Sequence, residues 1–336
     1  MKAIVCTKYG PPDVLELRDV EKPTPKDNEV LVRVHAASVA MGDCELRGLK
    51  LPFEWKLLLR IGFGIRAPRR KILGQELAGE IESTGREVTR FKKGDQVFAL
   101  TGLHLGAYAE YDCLKQSAIL AIKPANMSYE EAAVVPAGGL HAINFLRRAN
   151  IQPGQEVLIR GAGGSIGTVA VQLAKSYGGI VTGVDRTSKL DMIRSIGADH
   201  VVDYTKEDFT KKGKTYDVVF DTVGRSSFSG LMRLVKGDGY LLLGNPGLSQ
   251  LFRGIRRSKK GRKVVRWTGS YPVQDLVTLR ELIEAGKLRS IIDRRYPLEQ
   301  TAEAHRYAGT GQKKGNVVIT VQHNSQPDTT TPRTTL

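Results

Sequence analysis

The chain has 336 residues, enough for two domains of ordinary size, and its 41% hydrophobic and 26% charged content is typical of a globular protein. Its longest apolar stretch, residues 57–65, contains Arg60 and is far too short for a membrane span. Cys6, Cys44 and Cys113 lie far apart without a CxxC pair, which argues against a disulfide framework and a structural zinc cluster. This cysteine usage favours a reducing, cytoplasmic location.

The first 120 residues predict a β-rich unit. Residues 1–8 are too short in apolar length for a signal peptide and predict a strand. Val30–Val34 and Leu77–Ile81 are short apolar or alternating runs, and turn signals such as Gly10–Pro12 and Lys93–Asp95 separate the runs. Strands of this length and spacing suit a small, partly closed barrel.

The net charge of +16 is concentrated in two basic segments. The first lies within residues 60–71, and the second, residues 253–266, has eight basic residues and no acidic residue. Two interpretations remain open: solvated loops, or a surface attracted to an anionic membrane or nucleic acid. Aromatic residues occur only beside the second segment, as Phe252 and Trp267, so nucleic-acid recognition is not expected. The basic residues are Arg60, Arg66, Arg69, Arg70, Lys71, Arg253, Arg256, Arg257, Lys259, Lys260, Arg262, Lys263 and Arg266.

Strands and helices alternate after residue 128. Ser128 is a candidate N-cap, because Glu130 and Glu131 follow it in the first turn of a predicted helix. The order of the later elements implies a parallel sheet with helices on both faces. Residues 324–336 are polar and threonine-rich and predict a disordered tail. The predicted strands are 157–159, 180–184, 201–202, 218–220, 240–243 and 316–321, and the predicted helices include 190–196 and 276–285.

A glycine-rich turn, Gly161–Gly167, follows the strand Val157–Ile159. Apolar residues at helical spacing come next, and a second strand ends at Asp185, 18 residues after Gly167. Glycines allow the backbone to approach a pyrophosphate closely, and the helix N-terminus attracts its negative charge. An acidic residue about 20 positions further on can bind ribose hydroxyls. The segment therefore predicts a dinucleotide site.

Further short motifs are spread along nearly the whole chain: Met1–Ile4, Glu29–Val34, Gly74–Gly79, Gly94–Phe98, Gly106–Tyr111, Gly197–Asp199 and Gly315–Val318. With the glycine-rich turn, they resemble the medium-chain dehydrogenase/reductase superfamily, in its zinc-free quinone oxidoreductase branch. The resemblance implies an α/β fold, in which a Rossmann doubly wound parallel sheet is inserted in a GroES-like, partly open β-barrel domain. The implied GroES-like catalytic domain covers residues 1–124 and 271–323, and the implied dinucleotide-binding domain covers residues 125–270.

Two positions depart from the zinc alcohol dehydrogenases of this superfamily. Those enzymes have a catalytic Cys where this chain has Ala40, and a His where it has Gln75. Alanine cannot ligate a metal, and a glutamine amide is a poor zinc ligand. The sequence therefore predicts a protein without zinc. The quinone oxidoreductase branch usually has Asn at the position of Ala40, so the substrate is less constrained than the branch alone would imply.

The resemblance implies hydride transfer from NAD(P)H to an acceptor held between the two domains. Without zinc to polarise a simple ketone, quinones and activated enones are the acceptors that need the least electrophilic help. One alternative is an NAD(P)-dependent alcohol or aldehyde dehydrogenase without zinc. Another is an NADPH-binding protein that docks to a membrane or RNA through the basic segments. The predicted assembly is a homodimer, with weak anionic-membrane contact as a further hypothesis.

Three residues are candidates for catalysis. His141 stands where the family usually has a Thr at the nicotinamide site, and its imidazole could donate a hydrogen bond or a proton to the acceptor. The alternative is a histidine that only packs beside the cofactor. Asp43 and Gln75 are candidates from their position in the cleft, whereas Glu76 is expected to have a structural role near the position of the missing metal.

The choice between NADPH and NADH depends on the end of the second strand of the glycine-rich unit. Asp185 favours NADH because its carboxylate would repel a 2′-phosphate, whereas Arg186 and the residues after it could bind that phosphate. NADPH is the expected cofactor, with NADH as the alternative. The predicted cofactor-binding residues are Gly161, Gly163, Gly164, Ser165, Ile166, Gly167, Asp185, Arg186, Ser188, Lys189, Tyr204, Val223, Gly224, Gly244 and Asn316.

Overall fold

The computed structural model of this chain describes residues 1–49, 60–224, 227–245, 261–266 and 271–323. Residues 57–59 of the apolar stretch, residues 253–260 of the second basic segment and the tail predicted at 324–336 lie outside the described residues. The helices of the described part are α1 (Met41–Gly48), α2 (Tyr129–Ala133), α3 (Pro136–Ala149), α4 (Ser165–Ser176), α5 (Leu190–Ser195), α6 (Phe228–Arg233), α7 (Val273–Glu284) and α8 (Thr301–Ala308).

The described strands form a barrel sheet, a nucleotide sheet and an N-terminal hairpin. In chain order they are β1 (Lys2–Cys6), β2 (Leu15–Asp19), β3 (Glu29–Ser38), β4 (Glu76–Thr84), β5 (Gln96–Leu100), β6 (Tyr111–Lys115), β7 (Ile119–Ile122), β8 (Glu156–Arg160), β9 (Ile180–Asp185), β10 (His200–Asp203), β11 (Tyr216–Asp221), β12 (Val235–Leu243), β13 (Lys263–Arg266), β14 (Ile292–Pro297) and β15 (Asn316–Thr320). The hairpin pairs β1 with β2 antiparallel.

The barrel sheet combines two distant parts of the chain. Its order is β14-β15-β3-β4-β5-β7, with β6 also paired to β3. The central strand β3 pairs antiparallel with β4, β6 and β15, which brings the last described strand beside the first long one. The barrel-like β-rich unit predicted for the N-terminal part is therefore confirmed.

The nucleotide sheet has the order β10-β9-β8-β11-β12-β13, and all its neighbouring strands are parallel. In β8, Val157 and Ile159 face one hydrophobic cluster and Leu158 faces another, because helices cover both sides of the sheet. This explains why the strand is an unbroken apolar run rather than an alternating one. The doubly wound parallel sheet is confirmed.

Several predicted elements have the expected type but different ends. Ser128 caps α2 as expected: its Oγ accepts the Glu131 N–H at 3.2 Å, and the Glu131 carboxylate accepts the Ser128 N–H at 2.9 Å. The strand predicted at Val30–Val34 extends through Ser38, because residues 36–38 pair with β15. That pairing joins residues almost 300 positions apart, so local sequence could not indicate it.

Long apolar helices of the kind that span membranes are absent from the part of the chain that the structure describes.

Candidate functional site

The glycine-rich turn lies at the carboxyl end of β8, and its glycines have different structural roles. Gly161 has φ +77°, and a Cβ there would lie 2.6 Å from Thr222 Oγ1. A Cβ on Gly167 would lie 2.1 Å from the Gly161 carbonyl oxygen, so this glycine lets α4 pack directly on the turn. Gly164 is different, since a Cβ there would meet only the Gly161 oxygen, at 3.4 Å.

The space at Gly164 suits a bound pyrophosphate. Gly164 is the N-cap of α4, and the backbone N–H groups that begin the helix, from Ser165 onward, cannot bond within it. Glycine at this position is therefore not required by the protein's own packing, whereas a ligand on the helix N-terminus would need the space. Gly164, Ser165 and Ile166 are the residues that would hold the phosphates of a dinucleotide, so this part of the predicted site fits the cofactor.

Asp185 is buried beneath the turn. Its Oδ2 accepts the Gly163 N–H at 2.9 Å, and its Oδ1 accepts the Arg186 N–H at 2.9 Å. The ammonium of Lys189 lies 3.7 Å from the same Oδ1. The carboxylate therefore holds the turn in shape, with a cation beside it, and only 6% of the residue is exposed. The role in binding ribose that was expected for Asp185 stays a prediction.

Arg186 and Tyr204 lie together at the rim of the site. An Arg186 Nη is 3.4 Å from the Tyr204 hydroxyl, and the Arg186 Nε is buried without a hydrogen-bond partner among the described residues. Ser188, two residues after Arg186, is exposed. The exposed fraction of Tyr204 is 43%, which leaves its ring accessible to a ligand. A phosphate at this rim would lie beside the guanidinium of Arg186, and the buried Nε–H would bond to it only after the side chain moved.

The loops after β11 and β12 form the other side of the same edge. Val223 is 45% exposed, and Gly224 has φ +71°, where a Cβ would lie 2.1 Å from the Asn245 carbonyl oxygen. Gly244 donates its N–H to the Asp221 carbonyl at 2.9 Å. These predicted residues therefore meet at the carboxyl edge of the sheet, as ligand sites of doubly wound folds do.

The segment before β15 contacts the glycine-rich turn from the barrel side. The Gly315 N–H bonds to the Gly163 carbonyl at 2.8 Å, and Lys313 Nζ bonds to Ser165 Oγ at 2.7 Å. Burial and the nearby Lys189 ammonium lower the pKa of Lys313 to about 8. Asn316 instead bonds to the Ile291 carbonyl through both its backbone N–H and its side-chain amide, at 2.9 and 3.1 Å. Asn316 thus holds backbone in this structure, and its cofactor contact stays a prediction.

His141 lies one turn into α3 with both ring nitrogens bonded. Its Nε2 is 2.9 Å from the Gly244 carbonyl oxygen, and its Nδ1 is 2.5 Å from the Tyr271 hydroxyl. A carbonyl only accepts, so Nε2 carries the proton and Nδ1 accepts from Tyr271. Burial lowers the pKa of His141, against the raising effect of the Gly244 bond. The neutral ring therefore joins α3 to the end of β12, and proton donation to an acceptor stays a prediction.

Asp43 and Gln75 meet beside Ala40, where zinc relatives have their metal. Asp43 Oδ1 accepts from Gln75 Nε2 at 3.2 Å, and its Oδ2 accepts the Ala40 N–H at 2.9 Å. Burial raises the pKa of Asp43 to about 6, against the lowering effect of its hydrogen bonds with Ala40, Gln75 and Tyr108. In the described part of the chain, no group of three His, Cys, Asp or Glu side chains is arranged to hold a metal ion. The position contains a hydrogen-bonded acid–amide pair.

A second buried group lies behind this pair and was not predicted. His305 on α8 approaches Cys44 through Nδ1 at 3.5 Å and the Tyr108 hydroxyl through Nε2 at 3.2 Å. Burial lowers the pKa of His305 to about 3 and raises that of the Cys44 thiol to about 12. The thiol and imidazole are therefore uncharged near neutral pH and act as packing groups. The helical spacing of Thr301, Ala304, His305 and Ala308 could have indicated this buried face.

Comparisons with known proteins agree with this arrangement. Residues 26–145 match the model of the alcohol dehydrogenase GroES-like domain, and residues 196–319 match the model of the zinc-binding dehydrogenase family. The chain is 32% identical to a quinone oxidoreductase of Pseudomonas aeruginosa, over 95% of this chain and 99% of the relative. It is 29% identical to an NADPH-dependent alkenal/one oxidoreductase of Arabidopsis thaliana, over 95% of this chain and 79% of the relative.

A solved structure is similar over almost the same length. The quinone oxidoreductase of Coxiella burnetii aligns with a TM-score of 0.85 and 30% sequence identity, covering 96% of this chain and 99% of the other. The sequence similarity and the structural similarity thus extend over both sheets.

Proposed function

We propose that this chain, which belongs to the quinone oxidoreductase branch of the medium-chain dehydrogenase/reductase superfamily, transfers a hydride from a reduced nicotinamide cofactor to a quinone or an activated enone. The observation that carries the proposal is that the start of α3 joins the two parts of the site. A Cβ on Gly138 would lie 2.7 Å from the Ser165 carbonyl oxygen, and the Ala137 N–H bonds at 2.8 Å to Glu76, the neighbour of Gln75. The similarity to a quinone oxidoreductase and an alkenal/one oxidoreductase supports the same acceptor class.

A bound nicotinamide supplies the hydride, and the residues of this chain bind, orient and shield the reactants. Gln75 is our candidate for contact with the acceptor, because its amide lies next to Ala40 and can offer a hydrogen bond. Asp43 fixes the orientation of that amide by accepting from its Nε2. Asp43 and His141 are positioning residues in this proposal, since each acts through the group that it holds.

NADPH is the proposed cofactor. The Asp185 carboxylate accepts hydrogen bonds from the turn and lies beside Lys189, so its charge is partly balanced within the protein. The Arg186 guanidinium lies beside the exposed Tyr204, where the charge of a 2′-phosphate can pair with it. A 2′-phosphate satisfies Arg186, which the hydroxyl of NADH cannot do with comparable strength.

Catalysis without zinc is part of the proposal. Ala40 has no ligand atom, and Gln75 directs its Nε2 donor at Asp43. Of the two carboxylates nearby, that of Asp43 is bonded to Gln75, and that of Glu76 accepts hydrogen bonds through both of its oxygens. The residues present therefore do not fit a catalytic zinc site.

Two partner assignments are finer proposals. We propose a homodimer, whose test is the molar mass in solution by light scattering.

We also propose weak contact with anionic membranes through the first basic segment, where Ile61 and Ile65 are 62% and 73% exposed among exposed arginines. Sedimentation with anionic and neutral vesicles should show salt-sensitive binding to the anionic ones alone. Equal binding to both would contradict it.

The experiment that tests the function is steady-state oxidation of NADPH and NADH against a panel of quinones, enones, aldehydes and simple ketones. We expect turnover with quinones or enones and none with simple ketones. Turnover confined to aldehydes and simple ketones would contradict the proposal. Cofactor binding without turnover of any acceptor would favour a binding protein instead.

A further inference from the structure

Glu76 joins the barrel sheet to the start of α3. It is the first residue of β4, and its Oε1 accepts the Ser38 hydroxyl from the end of β3 at 2.6 Å. Its Oε2 accepts the N–H of Ala137 at 2.8 Å. Only 3% of Glu76 is exposed, so the carboxylate is held between the barrel and this helix.

The start of α3 needs an acceptor from elsewhere in the chain. Its N-cap is Val135, whose side chain has no acceptor, and Pro136 at the first position has no N–H. Ala137 therefore has the first N–H of the helix. Glu76 satisfies it from 61 residues away, and the negative charge lies at the positive end of a 14-residue helix.

This first turn of α3 contacts the cofactor cradle directly. A Cβ on Gly138 would lie 2.7 Å from the Ser165 carbonyl oxygen, so the backbones of α3 and α4 touch at the start of both helices. One turn later, His141 bonds to the Gly244 carbonyl. A shift of the first turn would therefore reach both the phosphate helix and the edge of the nucleotide sheet.

We propose that Glu76 is a positioning residue, whose carboxylate places the first turn of α3 against α4 and thereby sets the affinity of the cofactor site. Any effect of Glu76 on turnover rests on the proposed function. The main test measures cofactor binding and does not depend on turnover. The charge on Glu76 matters, because charge-assisted hydrogen bonds are roughly twice as strong as neutral ones.

The titratable groups around Glu76 come from three other parts of the chain. Asp43 on α1 repels its charge, Lys313 before β15 attracts it, and the Tyr108 hydroxyl lies within the same field. Burial raises the pKa of Glu76 to about 7, more than its bonds from Ser38 and Ala137 lower it. Glu76 therefore changes charge in the neutral range, and we expect the cofactor affinity to fall as the pH falls from 8 to 6.

The same pKa separates a positioning role from a structural one. A carboxyl group whose pKa is raised in the fold contributes stability below its unfolded pKa, and that stability is lost as the pH rises through about 7. Ionised Glu76 thus costs stability at pH 8. Glu76→Gln, which imitates the protonated acid, should melt at the same temperature as the parent or higher at pH 8. If Glu76 served stability alone, Glu76→Gln would melt at a lower temperature than the parent at pH 8.

The experiment measures NADPH dissociation constants and melting temperatures from pH 6 to 8.5 for the parent, Glu76→Gln and Asp112→Asn. Asp112 is the matched control: its carboxyl group is also buried in the barrel sheet with a raised pKa, but its side chain bonds to His104 rather than to a nucleotide-domain helix. The ionisation of the ligand's own phosphate is common to all three proteins.

Between pH 8 and pH 6, we expect the NADPH affinity of the parent and of Asp112→Asn to fall about three- to tenfold more than that of Glu76→Gln, because only they contain the titrating Glu76. Glu76→Gln should bind weakly throughout, with a melting temperature at pH 8 no lower than that of the parent. The same pH dependence in all three proteins would overturn the inference, as would a melting temperature lowered in Glu76→Gln. If no acceptor is reduced, the proposed function fails while this binding test still decides the role of Glu76.

Discussion

The hydroxyl of Tyr271 lies 2.5 Å from Nδ1 of His141, and the opposite ring nitrogen lies 2.9 Å from the Gly244 carbonyl oxygen. The imidazole is therefore a bridge between α3, the end of β12 and the chain that leads into α7. Both nitrogens are used in this bridge. A proton donor to an acceptor would have to give up the bond to Gly244 first.

We therefore predict that His141→Gln and Tyr271→Phe weaken the same interaction. Each should lower kcat/KM about 5- to 20-fold, since a neutral hydrogen bond contributes roughly 1 kcal/mol and its loss shifts the backbone that it holds. The double variant should be little worse than either single one, because the two residues act together. Independent, multiplying losses would contradict the bridge.

The pH dependence of kcat/KM tests whether His141 transfers a proton. Burial lowers its pKa, so the ring stays neutral from pH 7 to 9, and substitution should not remove any ionisation from the kcat/KM profile in that range. An ionisation above pH 7 that is present in the parent and lost in His141→Gln would show that His141 transfers a proton.

The cofactor cradle is tested by Gly164→Ala. A methyl group at Gly164 meets only the Gly161 oxygen, so the variant should fold with a melting temperature within about 2 °C of the parent. Its NADPH affinity should fall about tenfold or more, because the methyl group occupies space that the pyrophosphate needs. Gly237→Ala is the control, since Gly237 is exposed on β12 with nothing within 4 Å of its Cβ position. Normal affinity in folded Gly164→Ala would place the phosphates elsewhere.

Cofactor choice is tested by Arg186→Ala. We expect NADPH to bind about 10- to 100-fold more weakly and NADH to be almost unchanged, because a charged phosphate contact contributes about 1.5–3 kcal/mol. Arg194→Ala removes an exposed arginine of the adjacent helix, paired with Asp191, and serves as the control. Equal weakening of both cofactors in Arg186→Ala would contradict the selectivity proposed for this residue.

Asp185→Asn addresses the buried carboxylate. Because Asp185 accepts from Gly163 and lies beside Lys189, the change should weaken both cofactors together by disturbing the turn. Isothermal titration with NADPH and NADH measures this. A selective gain for NADPH would show that Asp185 faces the ribose in the complex.

Metal independence is a direct prediction of Ala40 and Gln75. Dialysis against a strong chelator should leave kcat unchanged, and elemental analysis should find far less than one zinc per chain. Stoichiometric zinc together with loss of activity on its removal would contradict the proposed chemistry.

Sequence predicted the parts of this protein that depend on local pattern. The apolar run at Val157–Ile159, the glycines after it and the Ser128 cap each have a short-range physical cause, and the structure confirms the elements that they predict. The resemblance to the family also predicted the barrel, whose strands come from both ends of the chain.

Local sequence could not predict the contacts between side chains that lie far apart in the chain. Asp185 has the position of a ribose ligand, but in the fold its carboxylate accepts the Gly163 N–H and lies beside the Lys189 ammonium. Glu76 stands next to Gln75 in the sequence, yet its bond to Ala137 arises only when the barrel packs on α3. Helical spacing could indicate that His305 is buried, but its partners Cys44 and Tyr108, like the bond from Lys313 to Ser165, come from distant parts of the chain.

Hydride transfer itself is measured by following deuterium from C4-deuterated NADPH into the reduced product of an enone, by mass spectrometry. With deuterium at both C4 positions of the cofactor, we expect one deuterium on carbon in the product for each NADPH oxidised, and added chelator should not change this ratio. Oxidation of the cofactor without label in the product, or no oxidation with any quinone or enone, would contradict the proposed function.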